Sequence, residues 1–226
     1  MIVITGASRG IGLAIGKHLT RVGKRVLGVA RTGSQGESFP IVSLDVCDDE
    51  QITQLVRNLR SEDHKIEALV NAAGIAKMNL ALMTPSSTTK TILDTNLLGT
   101  MAMCRQIAPL MIRGGSGSIV NFSTIAVSLS LEGESSYVAS KAAVEAYSRV
   151  LAKELSAHQI RVNCIAPGPI QTELLRGVSE SQISRIVNRQ IIKRQFRADE
   201  VAELVELILD NRAKCLTGQT ISVGGV

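Results

Sequence analysis

Aromatic side chains are scarce: Phe, Tyr and Trp together make up 2% of the 226 residues, and Trp is absent. The core must therefore be filled by Val, Ile, Leu and Ala. The rings that stack on bases in nucleic-acid binders are also nearly missing. No dense Lys/Arg run occurs, because the net charge of +5 is spread along the chain. Nucleic acid is accordingly not an expected partner. The mild basic excess reads either as a solvated surface or as attraction to an anionic cofactor or carrier. The four cysteines, Cys47, Cys104, Cys164 and Cys215, form no CxxC pair and sit at no zinc-ligand spacing with His. No metal site is expected, and free thiols fit a reducing, cytoplasmic setting. No apolar run is long enough to span a bilayer, so no membrane partner is expected. The first residues read directly as a strand, without the charged and apolar segments of a secretory leader.

What the chain does contain is a regular alternation. Strands are predicted at 2–5, 25–30, 41–44, 67–70, 118–122, 161–165 and 220–223. Helical periodicity covers 11–22, a stretch capped by Asp48, then 90–112, 136–157, 172–190 and 201–209. Such alternation implies right-handed βαβ crossovers and a parallel sheet. The strands are nearly all apolar, as expected when helices cover both faces. The expected fold class is α/β. It is a single Rossmann-type domain over 1–226, a doubly wound parallel sheet of about seven strands with helices on both faces. The turn-rich Thr32-Gly33-Ser34-Gln35-Gly36 is too short to separate domains.

The loop Thr5-Gly6-Ala7-Ser8-Arg9-Gly10-Ile11-Gly12 joins the first strand to the first helix. Gly6 permits a tight turn, Gly10 lets backbone approach a phosphate, and Gly12 lets the helix pack on the sheet. The helix N-terminus then presents N–H groups to a pyrophosphate. The spacing is GxxxGxG and not the general GxGxxG. Ser8 and Arg9 lie in this loop, and Arg31 follows the second strand where NAD-binding sites usually place a carboxylate. Two guanidinium groups there suit a 2′-phosphate, so NADP(H) is the expected cofactor. Arg31 also reads as a solvated loop residue. Asp45 and Val46 follow the third strand, where the carboxylate either accepts from an adenine amino group or helps cap the next helix.

Tyr137 and Lys141 stand four residues apart and share a helix face. A phenol serves as a general acid only when its pKa, about 10 unperturbed, is brought toward working pH. A neighbouring ammonium is expected to do that. Alone, such a pair is common on helix surfaces.

Five spaced motifs change that weighting. They are Thr5-Gly6-x-x-x-Gly10-Ile11-Gly12, Asn71-Ala72-Ala73-Gly74, Asn96-Leu97-Leu98-Gly99, Tyr137-Val138-Ala139-Ser140-Lys141 and Pro167-Gly168-Pro169-Ile170-Gln171-Thr172. Through them the chain resembles the short-chain dehydrogenase/reductase family over essentially its whole length. Within that family it looks most like the 3-oxoacyl-(acyl-carrier-protein) reductases. The resemblance implies that Tyr137 gives a proton to the carbonyl oxygen, and that Lys141 lowers its pKa and binds the nicotinamide ribose. It implies that Asn96 holds a water linking Lys141 to solvent, and that Asn71, Ala72, Ala73 and Gly74 line the cofactor channel. Pro167, Gly168, Ile170 and Thr172 are expected around the nicotinamide. The family's serine, thirteen positions before the tyrosine, is Thr124 here, with Ser123 beside it. Thr124 is the expected participant; Ser123 is the alternative, on the opposite strand face.

The resemblance makes 172–198 a substrate lid. Its Leu174, Leu175, Val178, Ile183, Ile186, Val187, Ile191 and Ile192 suit an acyl chain, or merely pack the lid down. Arg176, Arg185, Arg189, Lys193 and Arg194, with Arg105 and Arg113, would attract an acidic acyl carrier protein or a coenzyme A phosphate, or are solvated faces. The expected activity is NADPH-dependent reduction of a 3-oxoacyl thioester. Reduction of a cyclic ketone, sugar or quinone is the alternative, and an NADP-binding sensor or scaffold without turnover is a third reading. The resemblance also implies a homotetramer built through 90–112, 136–157 and 219–226, the last ending at Gly224-Gly225-Val226 without a long tail.

Overall fold

Seven short apolar segments pair side by side because each is flanked by an amphipathic helix that covers it. In the computed structural model, residues 1–33, 38–175 and 177–226 are described, Leu174 by its backbone alone. Ser34, Gln35 and Gly36 of the turn segment, Arg176 of the basic group and the Leu174 side chain thus lie outside the described residues. The strands are β1 (Ile2–Thr5), β2 (Val26–Ala30), β3 (Ile41–Ser43), β4 (Ala68–Asn71), β5 (Gly117–Phe122), β6 (Ile160–Ala166) and β7 (Thr220–Ser222). They form one sheet in the order β3-β2-β1-β4-β5-β6-β7, with every neighbouring pair parallel. This is the expected doubly wound Rossmann-type sheet.

The helices are α1 (Gly10–Arg21), α2 (Asp49–Ser61), α3 (Ser86–Leu93), α4 (Gly99–Gly114), α5 (Ile125–Leu129), α6 (Ser135–Leu155), α7 (Glu180–Asn188) and α8 (Ala198–Leu209). Alternating strand residues feed two separate cores. Val3, Leu69, Ile119 and Val162 pack under α2, α4 and α6, against Leu55, Ile107 and Leu151. Ile4, Val70, Val120 and Ile165 pack under α1 and α8, against Ile15, Leu19 and Val205. Each such buried aliphatic side chain contributes roughly 1.5–3 kcal/mol. Asp48 caps α2, its Oδ1 accepting from the backbone N–H groups of Glu50 and Gln51 at 2.9 and 3.0 Å.

Three stretches differ from the periodicity. The helix expected over 90–112 begins at Ser86 and contains a π-helical turn, Asp94–Leu98, between α3 and α4. The stretch 172–190 is not one helix but a 3₁₀ turn, Glu173–Leu175, followed by α7. The short α5 was not expected at all. Sheet order reverses between β1 and β4, and at such a switch point the carboxyl ends of the strands open a crevice.

Candidate active site

The crevice is a cleft of about 570 Å³. Gly6, Ser8, Arg9, Gly10, Ile11 and Gly12 form one wall beyond β1. Arg31 lies beyond β2, Asp45 and Val46 beyond β3, and Ala72, Ala73 and Gly74 beyond β4, all facing the same space. The backbone approach here is close. A Cβ on Gly6, whose φ is +67°, would stand 2.8 Å from Ala72 O and from Ala73. A Cβ on Gly12 would collide with the Gly6 carbonyl. Arg9 precedes α1 without capping it, and no acidic residue occupies the first turn. The helix's N-terminal N–H groups are therefore left for an anion. These features fit a dinucleotide pyrophosphate.

Two details depart from expectation. Arg9 donates to Glu173 Oε2 at 2.9 Å, so this cation is bridged to the start of the lid. Asn71 does not line the cleft. It is buried in the sheet, donating from Nδ2 to Asn121 Oδ1 at 2.8 Å and to Cys104 Sγ at 3.3 Å. Asn121 in turn donates to Ser148 Oγ at 2.8 Å. Through Nδ2 the side chain braces the strand ends from below, while its buried Oδ1 meets no hydrogen-bond partner among the described residues. Asp45 turns Oδ1 to the Cys47 N–H at 2.9 Å, while Asp48 does the capping.

A second cavity, of about 150 Å³, adjoins the cleft. Tyr137, Lys141, Thr124, Ser123 and Glu134 line it on one side, and Pro167, Gly168, Ile170 and Thr172 on another. Its walls are otherwise largely aliphatic, with Leu175, Val178 and Ile186 supplied by the lid. Lys141 is 5% exposed and donates from Nζ to Phe122 O at 2.9 Å. Asn96 is wholly buried within the π turn. Its Oδ1 accepts from Ile75 N at 2.8 Å, and its Nδ2 donates to Ile75 O at 2.9 Å and to Ser140 Oγ at 3.1 Å. A Cβ on Gly74 would stand 3.3 Å from Asn96 Oδ1 and 3.4 Å from Lys141 Nζ. The bare glycine thus leaves a gap between those two polar groups.

The two candidate hydroxyls face different ways. Ser123 Oγ donates to Glu145 Oε1 at 2.5 Å. The Thr124 hydroxyl accepts from Ala126 N at 3.2 Å and also faces the Tyr137 phenol.

The electrostatics correct one expectation. Burial raises the Tyr137 pKa above its usual value, the Glu134 charge adds to the rise, and Thr124 opposes it. The Lys141 ammonium does not lower it here. Nζ is turned to Phe122 O and lies 6.0 Å from the phenol ring centroid. Burial in turn lowers Lys141 to about 8.

Several site residues escaped the sequence reading: Glu134, Ser140, Ile75 through its backbone, and Gln190. Gln190 is 2% exposed and donates to Ile192 O at 3.0 Å and Arg194 O at 2.8 Å, with Oε1 against Gly168. Only Glu134 left a usable signal, three residues ahead of Tyr137 on the same helical face. The basic residues near the lid are partly occupied. Arg194 pairs with Glu200 at 2.6 Å, Arg105 with Asp49 at 2.8 Å, and Arg189 donates to Leu129 O at 2.9 Å.

The chain is similar to known proteins along its whole length. A family model described as Enoyl-(Acyl carrier protein) reductase matches residues 6–225. The 3-oxoacyl-(acyl-carrier-protein) reductase FabG of Escherichia coli (strain K12) is 31% identical over 231 residues, 99% of this chain and 95% of that protein. The same-named protein of Staphylococcus epidermidis (strain ATCC 12228) is 31% identical over 237 residues, 99% of this chain and 96% of its own. Among solved structures, aldohexose dehydrogenase of Thermoplasma acidophilum superposes with a TM-score of 0.91 at 28% identity, covering 99% of this chain and 92% of that one.

Proposed function

The chain belongs to the short-chain dehydrogenase/reductase family, and from that premise we propose that it is an NADPH-dependent carbonyl reductase whose substrate is a 3-oxoacyl thioester. One observation carries the reading: a phenol, a threonine hydroxyl and a buried ammonium share a small apolar cavity that opens into a glycine-walled cleft. The names of the relatives and the aliphatic lid support the thioester.

Gly6, Ser8, Gly10, Ile11 and Gly12 hold the pyrophosphate. Arg9 and Arg31 select NADP(H) over NAD(H), with Asp45 and Val46 at the adenine end. Ala72, Ala73 and Gly74 hold the middle, and Pro167, Gly168, Ile170 and Thr172 hold the nicotinamide. Asn71 acts from beneath by fixing the end of β4. When bound, NADPH supplies the hydride. Tyr137 gives its phenolic proton to the carbonyl oxygen, and Thr124 donates a hydrogen bond to that same oxygen as charge develops on it. Lys141 and Asn96 flank the gap at Gly74, where a water passes protons onward. The apolar walls exclude bulk water. The same proposal takes the protein as cytoplasmic, acting on a small substrate or on an acyl chain borne by acyl carrier protein. It also takes it as a homotetramer, with exposed Leu98 just before α4, Met101 on α4 and Val150 on α6 meeting partner copies.

The test is NADPH and NADH oxidation with acetoacetyl thioesters, set against cyclic ketones, quinones and sugars. Thioesters and NADPH are expected to win. Tyr137→Phe should lower kcat/KM by about 10²-fold or more, and Thr124→Ala by about 10²-fold. Ser123→Ala should leave it within about threefold. Preference for a sugar would favour the reading that the Thermoplasma acidophilum likeness supports. Tight NADPH binding without any turnover would mean a sensor.

A further inference from the structure

Glu134 stands one helical turn before Tyr137, where α6 begins. It occupies the N-cap position, and its side chain makes no cap hydrogen bond. It lines the cavity that Tyr137 and Thr124 share, among Leu131, Leu175, Val178 and Ile186. Among the described residues no hydrogen bond and no opposite charge acts on it; burial alone sets its proton affinity, in the upward direction. Its backbone is fixed. Gly133, at φ +80°, turns the chain into the helix and accepts from Asn79 N at 2.8 Å, and Glu134 O accepts from Val138 N at 2.7 Å.

A carboxylate with no partner among the described residues, set in an apolar cavity, is costly when ionised. A 3-oxoacyl thioester offers it two acceptor oxygens and no donor beside the reacting carbon. Such a substrate also displaces the remaining water. The charged form then faces carbonyl lone pairs, whereas the acid form has one O–H to give. We propose that Glu134 is a specificity-determining residue that binds the substrate as a neutral acid, donating a hydrogen bond to the thioester carbonyl while the 3-oxo group faces Tyr137 and Thr124. This rests on the thioester reading above. Protonation also removes the negative charge that raises the Tyr137 pKa.

The other ionisable side chains facing this cavity are Tyr137 and Lys141, both on α6. The β4, β5 and β6 ends, α5 and the described lid residues contribute none. Affinity for the thioester should therefore be constant below the Glu134 pKa and fall as pH rises through it.

The experiment measures KM and kcat for acetoacetyl thioester with NADPH across roughly pH 5 to 8. It uses the wild type, Glu134→Gln and Glu134→Ala, with NADPH binding as the check that each variant folds. The wild-type KM should rise with pH once Glu134 loses its proton, and kcat should change much less. Glu134→Gln should keep a low, pH-independent KM, because an amide donates at every pH. Glu134→Ala should show a KM about tenfold higher and equally flat. Whatever Tyr137 and Lys141 contribute is common to all three proteins, so a rise in KM seen in the wild type alone belongs to Glu134. A pH-independent wild-type KM, or a Glu134→Gln variant as weak as Glu134→Ala, overturns the assignment and leaves the thioester reading standing. A wild type that reduces simple ketones but no acetoacetyl thioester at any pH overturns both.

Discussion

Lys141 brings a positive charge into a buried position on the wall of a largely apolar cavity. Its pKa is lowered by burial to about 8, whereas an unfolded chain keeps that proton to about pH 10.4. Between those values the unfolded state holds more protons than the folded one. Stability contributed by this residue therefore rises with pH over that interval, and below it the ammonium is a burden of about 3 kcal/mol. The hydrogen bond to Phe122 O offsets part of it. Lys141→Met should accordingly be inactive yet more stable than wild type by about 1–3 kcal/mol at neutral pH, with the gap closing toward pH 10. Urea midpoints for the two proteins across that range decide it. A Met variant less stable at pH 7 would mean the Phe122 hydrogen bond outweighs the desolvation.

At the scale of elements, the π turn between α3 and α4 is what delivers Asn96. One extra residue in the turn rotates the helix face and swings this amide inward, where it closes on both backbone groups of Ile75. Asn96→Ala leaves the half-buried N–H and C=O of Ile75 without their partner. The expected loss is about 2–4 kcal/mol, read from denaturant midpoints, with kcat falling alongside. A loss under about 0.5 kcal/mol would show that water replaces the amide without cost. The same turn marks where the sequence stops being legible. Strands β1 to β7 could be located because each is a buried apolar run between turn residues, and α1, α2, α6 and α8 because their stripes are regular. A π turn keeps the apolar spacing nearly intact on either side and leaves no compositional mark. The five-residue α5 is too short to show a period, and the lid's aliphatic residues hide its break at Gly177 and Val178. The glycine loop stood out by its place after the first strand, whereas Tyr137 and Lys141, a common pair by themselves, were singled out by the resemblance that the five motifs carry. The burial of Asn71 was not, since an Asn at a strand end looks the same whether it faces a cleft or a core.

For the molecule as a whole, the sheet divides labour between its two ends. Helices bury both faces, and the carboxyl edge gathers the cleft and the cavity from the ends of β1, β4, β5 and β6. The bridge from Arg9 to Glu173 crosses that edge, joining the phosphate loop to the first residue of the lid's 3₁₀ turn. If Arg9 serves the 2′-phosphate as proposed, dinucleotide and lid contend for one guanidinium. Breaking the bridge then taxes cofactor binding by no more than an exposed ion pair is worth, about 0–1 kcal/mol. Glu173→Gln should therefore tighten NADPH about two- to fivefold, with NADH, which lacks the 2′-phosphate, unaffected; titrations of both nucleotides against the two proteins check it. Equal gains for the two nucleotides would mean that Arg9 does not meet the 2′-phosphate. The lid is thus lightly moored to the very loop that greets the dinucleotide.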